Sequence, residues 1–177
     1  RFSSDQKKMK KSELILLLLF ITVLSTAQGR RNRMVLHQVS NKEVVTELFP
    51  TAIKVEEIND YWYKVLDGKQ KTIGYAMTSR EYCNQIIGYN NATPVMIITD
   101  KNFIIKKVAL LSHYETPSYI QMLTDQGFFN SWNGKRIQKA GAIKPDAYTG
   151  ATRTAIAVIE NVKYLSLNGS KKLPAKK

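Results

Sequence analysis

VMIITDKNFIIKKVALLSH, Val95 to His113, is the stretch on which the fold of this chain turns. Val95 to Thr99 is a short apolar run, and FIIKKVALLSH, from Phe103, is a second one rich in β-branched residues. Such side chains suit the pleated surface of a sheet. Asp100-Lys101-Asn102 between them supplies turn residues, so the two runs predict neighbouring antiparallel strands. Upstream, AIKVEEI (Ala52 to Ile58) and YWYKVL (Tyr61 to Leu66) alternate well enough to be strands. Asn59-Asp60 makes the turn that joins them, and Asp67-Gly68 makes the next, leading into KTIGYAMTS. The pattern predicts an antiparallel meander.

Helices are expected at both ends of this meander. Asn41 is placed to cap a helix through KEVVTELF, which Pro50 stops. Pro117 and Ser118 open a short helix through YIQMLTDQG, ended by Gly127. FFNSWNGK reads as an aromatic loop without a clear period. Near Gly150 a last helix begins, with Ala151, Ala155, Val158, Ile159 and Val162 along one face. The fold class is α+β, a single domain built on an antiparallel, twisted sheet with flanking helices.

Composition narrows what such a domain does. The 177 residues allow about one ordinary core, and 44% hydrophobic residues fit a globular protein. The formal charge of +13 is concentrated outside the domain. Removing residues 1–27 leaves +10, and Arg30, Arg31, Arg33, Lys171, Lys172, Lys176 and Lys177 carry seven of those, so residues 34–170 hold only +3. Basic ends of this kind are usually solvated and suit an anionic lipid face or an acidic partner. No basic motif with interleaved aromatics argues for nucleic acid. Cys83 stands alone, so no intrachain disulfide forms, and with only His37 and His113 as histidines a metal site is not expected.

The N-terminal residues read as export machinery. Met9 is the natural start, Lys10 and Lys11 form the positive region, Leu14 to Leu24 (LILLLLFITVL) the apolar region, and Ser25-Thr26-Ala27 a cleavage site. An apolar run of this length falls short of the roughly 20 residues a membrane-crossing helix needs. The expected organisation is upstream residues and signal peptide at 1–27, a basic linker at 28–33, the domain at 34–168 and a basic tail at 169–177.

DAYTGATRT, Asp146 to Thr154, raises the functional question. Thr149 is a natural N-cap for the last helix, which would put Gly150, Ala151 and Thr152 in its first turn. That turn has free N–H groups and the positive end of the helix dipole, so it is suited to a phosphate. Gly150 and Ala151 leave the approach open, and Thr152 presents a hydroxyl there. A bare T-G-A-T at a helix start is, taken alone, more often only a cap.

Asp146-Ala147-Tyr148-Thr149-Gly150-Ala151-Thr152 matches D-x-x-(S/T)-G-A-T, and in this it resembles the FMN-binding domains of the C subunit of sodium-pumping NADH:quinone oxidoreductase and the G subunit of the Rnf complex. Two earlier stretches add to the resemblance: Gly88-Tyr89-Asn90-Asn91, and His113-Tyr114-Glu115-Thr116-Pro117-Ser118, similar to G-Y-x-G and H-x-E-T-P-G, with Asn91 and Ser118 standing where that pattern has glycine. The resemblance covers roughly Lys69 to Lys163. It implies that a flavin transferase, using FAD and Mg²⁺, attaches FMN through its phosphate to the hydroxyl of Thr152. It further implies cofactor-binding roles for Asp146, Thr149, Gly150, Ala151, Thr116 and Glu115, with Asp146 serving the transferase or ordering the loop. Tyr89, Tyr119, Phe128, Phe129 and Trp132 are candidates to pack on the flavin ring, although each such aromatic is more often an ordinary core or interface residue.

The expectation is an exported, periplasmic or outer-face FMN carrier that transfers electrons between membrane or periplasmic redox partners, in a membrane complex or free. Thr152 would then be a modified residue and no catalytic residue is expected. Two readings compete with it: a reductase holding FMN without a bond, and a secreted module whose T-G-A-T is only a helix cap.

Overall fold

The computed structural model describes residues 34–146 and 148–175. The export signal, the 28–33 linker, Ala147 and the last two lysines lie outside the described residues. Asp100 organises the turn between the two decisive strands: its side chain accepts hydrogen bonds from the N–H groups of Asn102 (2.8 Å) and Ile104 (3.0 Å). The strands it joins are β4, Val95–Thr99, and β5, Ile105–Leu110. Asp67 plays the same part between β2, Tyr63–Asp67, and β3, Thr72–Thr78, accepting from Lys69 and Lys71. With β1, Ala52–Glu57, these make one open sheet in the order β1-β2-β3-β4-β5. Each neighbouring pair is antiparallel, as the meander predicts.

Both faces of the sheet are covered. Helix α1, Asn41–Leu48, lays Val44 and Val45 on Val65, Ala76, Met96 and Ile98. The long helix α4, Thr152–Gly169, lays Ala155, Val158, Val162 and Leu165 with Met77, Val95, Ile97 and Ile105 on the opposite face. Successive strand residues point to opposite faces, so a strand covered on both sides is apolar throughout; all five residues of β4 are buried. The α+β class and the antiparallel sheet stand as the sequence predicts.

Several local features differ. The cap of α1 is Ser40 rather than Asn41, because Ser40 accepts from the Glu43 N–H (3.1 Å) while Glu43 reaches back to the Ser40 N–H in a capping box. FFNSWNGK contains a 3-10 helix, Phe128–Trp132, and a four-residue helix, α3 (Ile137–Ala140), follows it. The first of the C-terminal basic residues do not simply trail into solvent: the Asn59 side chain donates to the Lys172 carbonyl (3.0 Å), and Pro174 is buried.

One end of the sheet gathers the segments that matter for function. Val95 at the start of β4 pairs with Leu110 at the end of β5. The chain entering β4, through residues 88–94, and the chain leaving β5, through residues 111–116, therefore meet there. Helix α2, Pro117–Asp125, starts from that second segment.

Candidate functional site

Glu115 is fully buried, and its carboxylate ties the site together. It accepts from the Tyr89 N–H at 3.0 and 3.1 Å, from the Asn90 N–H at 3.4 Å and from the Thr93 hydroxyl at 3.0 Å. The Thr154 hydroxyl, in the first turn of α4, donates to its other side. A buried carboxylate is tolerable only with its acceptor capacity filled. Gly88 is what lets the loop come so close, since a Cβ there would lie 2.3 Å from Thr93 Oγ1 and 2.4 Å from Glu115 Oε1.

His113 prepares the same segment. Its Nδ1 accepts the Glu115 N–H (3.1 Å), which places the ring proton on Nε2 in the neutral form. Burial holds its pKa below the ordinary histidine value, and neighbouring His37 lowers it further, against an opposing pull from Glu115. His37 and His113 exchange backbone hydrogen bonds of 2.8 and 3.0 Å, with their rings 5.3 Å apart. Beside them, the Ser112 side chain and the backbone of Val39 exchange hydrogen bonds of 3.0 Å in each direction.

The signature loop is held by α2. Gln126 donates to the Thr149 carbonyl (3.3 Å), and Met122 fills the space beside Gly150. Gly150 has φ +85°, in the left-handed region, and a Cβ there would meet Met122 Sδ at 2.4 Å. With that conformation the helix starts two residues later than Thr149 capping would require. Thr149 is therefore not the N-cap: Ala151 occupies that position, buried, with no side-chain cap bond, and Thr152 is the first helical residue. The first intrahelical bond runs from Ala155 N–H to the Ala151 carbonyl (3.0 Å). The N–H groups of Thr152, Arg153 and Thr154 precede it, without helical acceptors, at the positive end of an 18-residue helix.

The seven sequence-predicted residues do not converge on one point. Thr152 is exposed, as are Thr149, Gly150 and Asp146, and no hydrogen bond among the described residues joins Asp146 to Thr152. Ala151 packs in the core. Thr116 stands at the N-cap position of α2 but makes no side-chain cap bond, and Glu115 turns inward, so neither closes that helix through its side chain. Of the aromatic candidates, Phe128 and Trp132 are buried core. Tyr89, about half exposed, stands edge-on to Tyr119 with centroids 5.0 Å apart.

Sequence reasoning passed over Thr154, Thr93 and Gly88 as partners of Glu115, and Met122 and Gln126 as supports of the loop. The Thr-x-Thr spacing at 152 and 154 was a readable signal, because residues two apart on a helix face opposite ways. The groove of about 410 Å³ between β5, α2 and the 128–132 helix, lined by Lys106, Leu110, Ile120, Thr124 and Phe129, includes none of the seven candidates.

Comparison with known proteins bears on this arrangement. Residues 88–166 match the family model of the FMN-binding domain. No curated protein matches the chain. The matched range begins at Gly88 and runs through Glu115 and Thr152, so it takes in each segment gathered at this end of the sheet. Over these residues the chain is similar to the FMN-binding domain family, a likeness consistent with a flavoprotein that takes FMN as its cofactor.

Proposed function

We propose that the protein is an exported FMN carrier, with FMN joined through its phosphate to Thr152, that passes electrons between membrane or periplasmic redox partners. The observation that carries this reading is the contrast between two threonines in one helical turn: Thr154 is buried with its hydroxyl committed to Glu115, whereas Thr152 is exposed on an N-terminus that no side chain caps.

The residues present fit an attached phosphate. First-turn N–H groups and the helix dipole favour a negative charge beside Thr152, and exposed Arg153 adds a cation in the same turn. Gly150, with no side chain, and Ala151, turned into the core, leave the Thr152 hydroxyl unobstructed from the preceding loop. Tyr89 and Tyr119 offer aromatic surface at the neighbouring segment. Bound FMN would supply one- and two-electron redox chemistry, while the chain supplies attachment, orientation and a polar setting. A covalent link would keep the cofactor from being lost outside the cytoplasm. A flavin transferase is the maturation partner this reading requires.

The deciding experiment is the intact mass of denatured protein produced with a flavin transferase, beside Thr152→Ala. A gain of one FMN less one water, absent from the variant, is expected. Yellow native protein with unchanged denatured mass would move the reading to noncovalent FMN. Export is tested separately by fractionating cells that express the full chain, with recovery in the periplasm or at the outer face of the cytoplasmic membrane expected.

A further inference from the structure

We infer that Glu115 is a positioning residue for cofactor attachment, setting the rotation of the first turn of α4 so that Thr152, and not Thr154, is offered for modification. This rests on the proposed attachment at Thr152. Helical residues two apart are separated by about 200° around the axis. Holding Thr154 inward therefore turns Thr152 outward. The bond that holds it is the one from the Thr154 hydroxyl to the Glu115 carboxylate, with both residues fully buried.

The chemistry of the knot requires a carboxylate. Tyr89 N–H, Asn90 N–H and the Thr93 and Thr154 hydroxyls all act as donors to it. An ionised carboxylate accepts from every side, whereas an amide would turn one NH₂ toward these donors. The backbone partners come from the segment entering β4 and the acceptor from the segment leaving β5. The first turn of α4 is thus fixed against the sheet rather than against its own loop. Gly150 and the open helix terminus leave that loop free of a side-chain cap that would set the rotation instead.

The test measures transferase-catalysed transfer of FMN from FAD with Mg²⁺, in which the Thr152 hydroxyl displaces AMP from the FAD phosphoanhydride and loses its proton, into the purified, folded full chain, read as flavin fluorescence of the denatured protein, for wild type, Glu115→Gln, Thr154→Val and Thr154→Ser. Assays run well below each melting temperature. Expected is a fall in kcat/KM of about tenfold or more for Glu115→Gln and Thr154→Val, carried mainly by kcat, as misplacement of a reacting group predicts. Thr154→Ser, which keeps the hydroxyl, should restore a rate close to wild type. Amide exchange at Tyr89 and Asn90 should quicken in Glu115→Gln. Folded Glu115→Gln and Thr154→Val chains labelled at the wild-type rate would overturn the inference while leaving the carrier reading intact. Unlabelled wild type would instead strike the carrier reading and this inference with it. If Glu115→Gln does not fold, the Thr154→Val and Thr154→Ser pair decides.

Discussion

Gly150 meets two constraints at once, a left-handed backbone and the Met122 sulfur where a Cβ would stand. Gly150→Ala should lower stability by about 1–2 kcal/mol from the backbone alone. Urea denaturation of Gly150→Ala with and without Met122→Ala checks this, since the second change removes the clash and leaves the backbone cost. The glycine and its threonine neighbours were legible in the sequence because the short signature keeps them side by side. The partnership of Glu115 with Thr154 was not, because 39 residues separate them and only the completed fold brings them together. Asn91 and Ser118 replace glycines of the resembled pattern without strain, as neither has a positive φ among the described residues.

At the scale of elements, the segment preceding α1 is held by His37 and Val39 against Ser112 and His113. Because burial lowers the pKa of His113, the unfolded chain binds more protons than the folded one between that lowered value and the ordinary value of 6.5. Stability from this group is complete above about pH 6.5 and declines as pH falls below it. Melting temperatures recorded from pH 7.5 down to 5.5 should show that decline in the wild type and a flatter profile in His113→Asn. Ser40→Ala should remove the capping box at a cost of about 1 kcal/mol, read from the denaturation midpoint. Ser40-Asn41-Lys42-Glu43 spells that box in the sequence, so the cap was readable one residue earlier than Asn41. Strands were the most legible elements, since two-residue alternation and Asx turns are local signals. The 3-10 helix at Phe128–Trp132 and the single turn of α3 are too short to show a period, and tertiary contacts such as Trp132 Nε1 donating to the Ala140 carbonyl (3.3 Å) define them.

Across the whole molecule, the chain end returns to the turn between β1 and β2. Trp62 Nε1 donates to the Gly169 carbonyl (2.9 Å), Lys172 pairs with Asp60, and Leu173 packs on the larger core. Deleting residues 170–177 should cost about 1–2 kcal/mol, in keeping with one partly buried apolar side chain and a buried proline. Lys172→Ala should leave the melting temperature nearly unchanged, because an exposed ion pair contributes little. Thermal denaturation of both variants separates the two contributions. The single bond between Thr154 and Glu115 also sets an order of events. The five strands pair with their neighbours in sequence, so their pairing closes shorter loops than the 39-residue separation that the bond from Thr154 to Glu115 spans. Helix α4 follows all five strands in sequence, and its first turn acquires a fixed orientation only when it docks on a carboxylate enclosed by the earlier chain. In the proposed carrier Thr152 would thus become a defined substrate late, and a transferase that needs that orientation would act as a check that folding is complete.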